Sequence, residues 1–243
     1  EGAGVSEFRT ENQLETIQSR IERRAQRHAQ DLTMTLEHLR VGAIKGIVTS
    51  KSGKVLHDLY NRFGIAVPAA VSLELDVDAT DVVSLLQDVV YSVEDDLDET
   101  YTGLHAYTGR DLHRYLWRHK SVKETFLNTS GAVALRQDVP DVFEVGGITF
   151  ERYKTGMKAT TDLGAPYIAA NEARVVPTGV PDLFITRFAP ADYEETVNTV
   201  GLPFYAAQDS DRPKNSKGRW LEVQSNPISL CTKPKVLRKL TLT

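Results

Sequence analysis

The sequence predicts an α+β fold, on three observations. One uninterrupted helical pattern fills residues 11–45. Two hairpin signals follow, at 47–59 and 143–153. Further strand-like runs crowd the C-terminal third, without the regular strand–helix–strand alternation of a parallel α/β protein.

The long helix comes first. Thr10-Glu11-Asn12-Gln13 fits a capping box, in which a Thr hydroxyl and a Gln side chain satisfy the first free N–H groups. Leu14, Ile17, Ile21, Ala25, Leu32, Leu36, Leu39 and Ala43 recur at steps of three, four or seven and make one apolar stripe. Arg20, Arg23, Arg24 and Arg27 lie off it. Neither Gly nor Pro interrupts residues 11–41. At about 1.5 Å per residue such a helix is roughly 50 Å long. It is expected to lie along a sheet and to end at Gly46. Leu32→Asp is expected to destabilise the fold by several kcal/mol, roughly the penalty for burying an unpaired charge.

Ile47–Thr49 and Val55–Leu59 flank a Gly53 turn, and Val71–Leu75 alternates as a strand. Asp78–Leu97 reads as a second helix, with Val82, Val83, Leu86, Val89, Val90 and Val93 inward. A strand at Leu104–Tyr107 precedes a third helix, Gly109–His119, bearing Leu112, Tyr115 and Leu116. Ser121-Val122-Lys123-Glu124 is a second capping box, opening a short helix to Leu127. Phe143–Val145 and Ile148–Tyr153 flank Gly146-Gly147. Strands are expected at Val175–Pro177, Leu183–Phe188, Trp220–Gln224, Ile228–Cys231 and Val236–Leu242. Pro190 opens a short helix to about Asn198, and the polar segment Gln208–Gly218 is an exposed loop or hairpin tip.

Composition narrows the function classes. The chain has 243 residues, 41% hydrophobic and 26% charged, as in folded domains generally. Its net charge is −4, whereas dedicated nucleic-acid binders carry a basic excess. A mildly acidic protein can still enclose DNA. Cys231 is the sole cysteine, which excludes an internal disulfide and a multi-cysteine zinc site. No apolar run reaches the length of a membrane-spanning helix, and no signal-peptide pattern is present. The chain opens Glu1-Gly2-Ala3-Gly4, so it is expected to be a fragment or a processed product.

No catalytic template fits. Glu94, Asp95, Asp96, Asp98 and Glu99 could attract a divalent cation, but adjacent acids on a helix diverge, and a solvated helix end is the expected outcome. His105, His113 and His119 share a region with Asp111 but lack ligand spacing; His113 and His119 face different sides of a helix. There is no phosphate-cradling Gly motif and no nucleophile elbow. Cys231, between Leu230 and Thr232, reads as a packed thiol. The four arginines could meet DNA or a neighbouring subunit, and Trp117, Trp220, Phe204 and Tyr205 read as core or interface anchors. No catalytic, cofactor or metal residue is therefore expected, and no cofactor.

Several stretches resemble one known family. They are Ala189-Pro190-Ala191-Asp192-Tyr193-Glu194-Glu195-Thr196-Val197-Asn198-Thr199, then Gly201–Ala206 and Leu221–Pro234 in the tail. Upstream stand the Arg-rich helix ending Gly42-Ala43-Ile44-Lys45-Gly46, Asn61-Arg62-Phe63-Gly64, His119–Glu124 and Gly147–Tyr153. In order and spacing they are similar to the phage capsid protein E family, the lambda-type major capsid proteins of tailed phages and prophages, over about Glu11 to Thr243.

The resemblance implies the Hong Kong 97-like capsid fold, with a long spine helix, a peripheral domain and an axial domain. Residues 1–70 with 183–224 would be peripheral; residues 71–182 with 225–243 would be axial. It implies a shell subunit that self-associates into hexamers and pentamers, meets scaffold, portal and decoration proteins, and resides in the virion after assembly in the host cytoplasm. Non-specific contact with packaged DNA stays open, and no membrane partner is implied. The family's N-terminal arm and extended loop do not occur ahead of the helix here, so this chain alone is expected to be soluble without closing shells. The alternative from the residues is a small α+β enzyme with a metal or acid–base site near 94–119. An encapsulin-like compartment is a related third reading.

Overall fold

The computed structural model describes residues 11–127, 139–154, 164–208 and 221–243, with the side chains of 11–18, 127 and 208 left aside. The first helix, α1, runs unbroken over Glu11–Lys45. Gly46 ends it with φ at +78°, and its N–H donates to the carbonyl of Ala43 at 3.1 Å. A Cβ there would fall 2.3 Å from the Tyr60 ring, so this close requires glycine twice over. Thr10 lies outside the described residues.

The apolar stripe is only partly covered. Ile21, Ala25, Leu32 and Leu39 are half-buried, whereas Leu36 and Ala43 are buried. The expected cost at Leu32 therefore moves down the helix, because a charge at a half-exposed site keeps its water. Ala43→Asp is expected to destabilise by about 3 kcal/mol or more and Leu32→Asp by about 1 kcal/mol. Equal shifts of the two urea-unfolding midpoints would contradict this division.

Strands β1 (Ile47–Thr49) and β2 (Val55–Asp58) pair as the expected hairpin. Leu59 belongs instead to helix α2 (Leu59–Phe63), because the Asp58 carboxylate accepts the N–H of Asn61 and starts the helix there. Strand β3 is only Val71–Ser72. Glu74 at φ +45° breaks the expected run. Leu73 and Leu75 are nonetheless buried, and their N–H groups reach the carbonyls of Thr241 and Leu242.

Helix α3 (Val82–Asp96) starts later than the pattern suggests, since Asp81 caps it by accepting the N–H and hydroxyl of Ser84 at 3.2 and 2.7 Å. After β4 (Gly103–Thr108) come α4 (Arg110–Arg118) and α5 (Lys120–Leu127). Leu112 and Leu116 are buried in α4, but Tyr115 is exposed. The capping box at Ser121 does not form. The ring of His119 caps α5 instead, its Nδ1 accepting the N–H of Ser121 at 3.3 Å, and the Ser121 hydroxyl points to Asp81.

Strands β5 (Val142–Val145) and β6 (Ile148–Arg152) turn at Gly146 and Gly147, both at positive φ. With β7 (Glu172–Thr178) and β12 (Arg238–Thr241) they complete a six-stranded mixed sheet, ordered β3-β12-β7-β4-β6-β5. The pairs β3–β12 and β4–β6 are parallel. Period-two alternation sends Leu104, Ala106, Phe143, Val145, Ile148, Phe150, Ala173, Val175 and Leu240 to one face. There they form a single core with Leu86, Val89 and Val93 of α3, Leu112 and Leu116 of α4, and Val122 of α5.

The remaining strands are β8 (Phe184–Ala189) with β11 (Asn226–Cys231), and β9 (Tyr205–Gln208) with β10 (Leu221–Gln224). Strand β9 has no alternating signature in the sequence; the hairpin tip and Trp220 lie outside the described residues. The helix expected after Pro190 is only a 3₁₀ turn, Glu194–Thr196. The Thr196 hydroxyl bonds the carbonyls of Ala191 and Tyr193, closing a local turn in place of a helical ladder. Likewise Val236 falls in a 3₁₀ turn started by Pro234, and β12 begins at Arg238. Two compact units result. One holds the chain up to Leu36 with Arg187–Ile228, the other Glu37–Thr186 with Ser229–Thr243.

Candidate functional site

The histidines of the 94–119 region are engaged structurally and apart from one another. His113 is buried; its Nε2–H donates to the carbonyl of Pro140 at 2.8 Å, and Nδ1 faces the Thr108 hydroxyl at 2.8 Å. A carbonyl only accepts, so this fixes the tautomer, and burial lowers the pKa of the ring. His119 donates from Nε2 to the carbonyl of Val77 at 3.1 Å while capping α5. His105 donates from Nε2 to Glu151 at 3.0 Å on the other sheet face.

Four of the acids are tied down as well. Asp96 pairs with Lys235 and Arg238, Glu99 with Lys233, and Glu94 accepts the Tyr101 hydroxyl. Asp111 turns to Arg110 and Arg114. Among the described residues no group of three His, Cys, Asp or Glu could hold a metal ion.

Cys231 is fully buried and burial pushes its thiol up to about 11. A buried thiol of that kind is inert. Native protein is expected to resist a thiol-specific chromogenic reagent for hours and to titrate one thiol once unfolded. Fast native labelling would place Cys231 at the surface.

A charge cluster that the sequence reading missed sits on the sheet face opposite the core. Buried Glu172 faces Arg174 at 3.1 Å, Lys45 at 3.5 Å and Lys239 at 3.5 Å, and accepts the N–H of Ala169. Burial alone would raise its carboxyl, but the surrounding cations outweigh that and hold it below the ordinary carboxylate range. Burial lowers the Lys45 amine, with Glu172 opposing. Glu172-x-Arg174 in one strand was the available signal, since residues two apart share a face. The cluster ties the end of α1 to β7 and β12.

The unit containing Arg187–Ile228 carries two exposed surfaces. Arg20, Arg23, Arg24 and Arg27 are all exposed on α1. Asp192, Glu194 and Glu195 are exposed around the 3₁₀ turn, and Val197, Val200, Leu202 and Phe204 follow them, exposed too. Of the aromatics expected as anchors, Trp117 is core and Phe204 is on this surface. Among the described residues nothing here converges on a reacting atom; what the arrangement offers is contact surface.

Comparison with known proteins agrees with that character. A family profile described as phage major capsid protein E matches residues 1–242. A major capsid protein of Pseudomonas phage KPP10 is 28% identical over 214 residues, 77% of this chain and 56% of that protein. The chain thus spans just over half the length of that relative. Among solved structures, the putative capsid protein of a prophage from E. coli CFT073 superposes with a TM-score of 0.51 at 13% identity, over 85% of this chain and 62% of that one. A virus-like particle from Pyrococcus furiosus matches more loosely, with a TM-score of 0.32 at 10% identity, over 70% of this chain and 56% of that one. By the match along its whole length, the chain belongs to the phage major capsid protein E family.

Proposed function

We propose that the chain is the shell-building subunit of a tailed-phage or prophage head, self-associating into hexamers and pentamers of an icosahedral shell that encloses DNA. The observation that carries this reading is the family match over residues 1–242. Charge and surface support it: a protein of net charge −4 with exposed charged and apolar patches suits contact with its own copies better than a grip on phosphate.

Within this reading the protein adopts the Hong Kong 97-like division, with residues 1–70 and 183–224 peripheral and residues 71–182 and 225–243 axial. Scaffold, portal and decoration proteins are its assembly partners, the virion is its location, and its role is structural. An enzymatic site at 94–119 finds no support, because its histidines and principal acids are held in structural hydrogen bonds and ion pairs.

Negative-stain electron microscopy of the protein expressed from its complete reading frame tests the proposal. Shells or capsomer rings are the expected result. A strict monomer at high concentration, with scaffold co-expressed, would overturn it.

A further inference from the structure

We propose that copies of this chain join head to tail through an ionic contact, in which the acidic turn Asp192–Glu195 of one copy docks on the arginine face of α1 in the next. The inference rests on the shell reading and names the surfaces that make one of its contacts.

The arginine face concentrates four like charges. At about 3.6 residues per turn, positions 20, 23, 24 and 27 fall within roughly a third of the helix circumference. Like charges at these spacings destabilise a helix. All four side chains are exposed. Arg23 reaches only Ser19 of its own helix, at 3.2 and 3.4 Å. Among the described residues no carboxylate pairs with any of the four. An external anionic surface would relieve the repulsion.

The same unit presents a complementary surface. Asp192, Glu194 and Glu195 are exposed, and among the described residues no Lys or Arg pairs with them. Immediately after them Val197 and Val200 are 65% and 88% exposed, with Leu202 and Phe204 also outward. This run is held in place. Gly201 lies so close to Phe188 that a Cβ would fall 2.0 Å from its carbonyl oxygen. The N–H of Leu202 donates to the Tyr205 hydroxyl at 2.8 Å, and the Ser225 hydroxyl donates to the carbonyl of Pro203 at 2.6 Å.

An ordered apolar run beside a charged rim has the anatomy of a protein–protein interface. Its fixed backbone lowers the ordering cost of binding. Nucleic acid would engage the arginines but leave both the acids and the apolar run without a role. Made in one direction only, rather than reciprocally across a two-fold axis, this contact is heterologous, and heterologous contacts repeat around rings and curved shells.

A charge swap tests the contact in the protein expressed from its complete reading frame. Arg24→Glu with Arg27→Glu, and separately Glu194→Arg with Glu195→Arg, should each lower the yield of assembled particles in sedimentation about tenfold or more, and the four together should recover most of it. The neutral pair Arg24→Gln with Arg27→Gln should give a smaller loss, and circular dichroism melts should match wild type. If wild type assembles and neither pair changes the yield, or the combination shows no recovery, the contact is wrong and the shell reading stands. If wild type fails to assemble, both fall. If the arginine variants assemble fully but lose salt-sensitive binding to duplex DNA, the face is a nucleic-acid surface and the proposed contact is overturned.

Discussion

Replacing Phe150 with alanine is expected to destabilise the fold by about 3–5 kcal/mol, the range for deleting a buried aromatic ring. Phe150 is fully buried in the middle of β6. Its ring stacks on Phe143 at 5.6 Å between centroids, and Phe143 in turn meets Trp117 at 5.0 Å and His113 at 4.9 Å. The backbone cannot collapse into the space, because Phe150 is registered against Ala106 of β4 on one side and Phe143 of β5 on the other. The cavity persists and its lining loses contacts outright. The urea midpoint should fall with the slope unchanged, and the melting temperature by roughly 10 °C. Thr149 faces the other way, so Thr149→Ala should stay within about 1 kcal/mol of wild type. Equal losses from the two variants would refute the assignment of sheet faces.

What was legible in the sequence follows the range of the interactions. The helix Glu11–Lys45 is a local object, and its stripe and closing glycine are written in consecutive residues. The turn at Gly146-Gly147 is local too, since positive φ at both positions nearly names the residue type. The sheet order is not local. The pairs β3–β12 and β4–β6 are parallel and join distant parts of the chain, and no spacing rule announces them.

Caps reveal a second limit. Ser121 satisfies the motif, yet the ring of His119 takes the position because its Nε2–H is already anchored on Val77. For the candidate surface, the arginine face could be read from helical spacing. The outward run Val197–Phe204 could not, because an exposed valine and a buried one look alike in a sequence. The acids at 94–99 show the converse. They read as a solvated end, but Asp96 is committed to cations that follow more than a hundred residues later.

Asp96→Ala is therefore expected to destabilise the protein by about 3 kcal/mol, since it leaves a buried guanidinium without its counter-charge. Arg238 is 6% exposed. It donates to the carbonyls of Ser92 and Lys235, to the Ser92 hydroxyl and to the Asp96 carboxylate. The neutral acceptors remain in the variant, but only Asp96 supplies negative charge among these partners. Arg238→Met added to Asp96→Ala removes the stranded charge, so the double variant should be more stable than Asp96→Ala alone. The pH dependence follows from the same geometry. Burial by itself would raise the Asp96 carboxyl, but hydrogen bonds and charge from Lys235 and Arg238 outweigh it and hold the pKa below the ordinary value. A carboxyl depressed in the folded state contributes stability above its unfolded pKa, about 4, and loses it as pH falls through the folded value. Wild type should therefore lose stability below about pH 4 more steeply than Asp96→Ala, and the gap between them should narrow as acid is added. A gap that stays constant from neutral pH to pH 2, or a double variant weaker than Asp96→Ala, would show that Asp96 does not hold Arg238 in place.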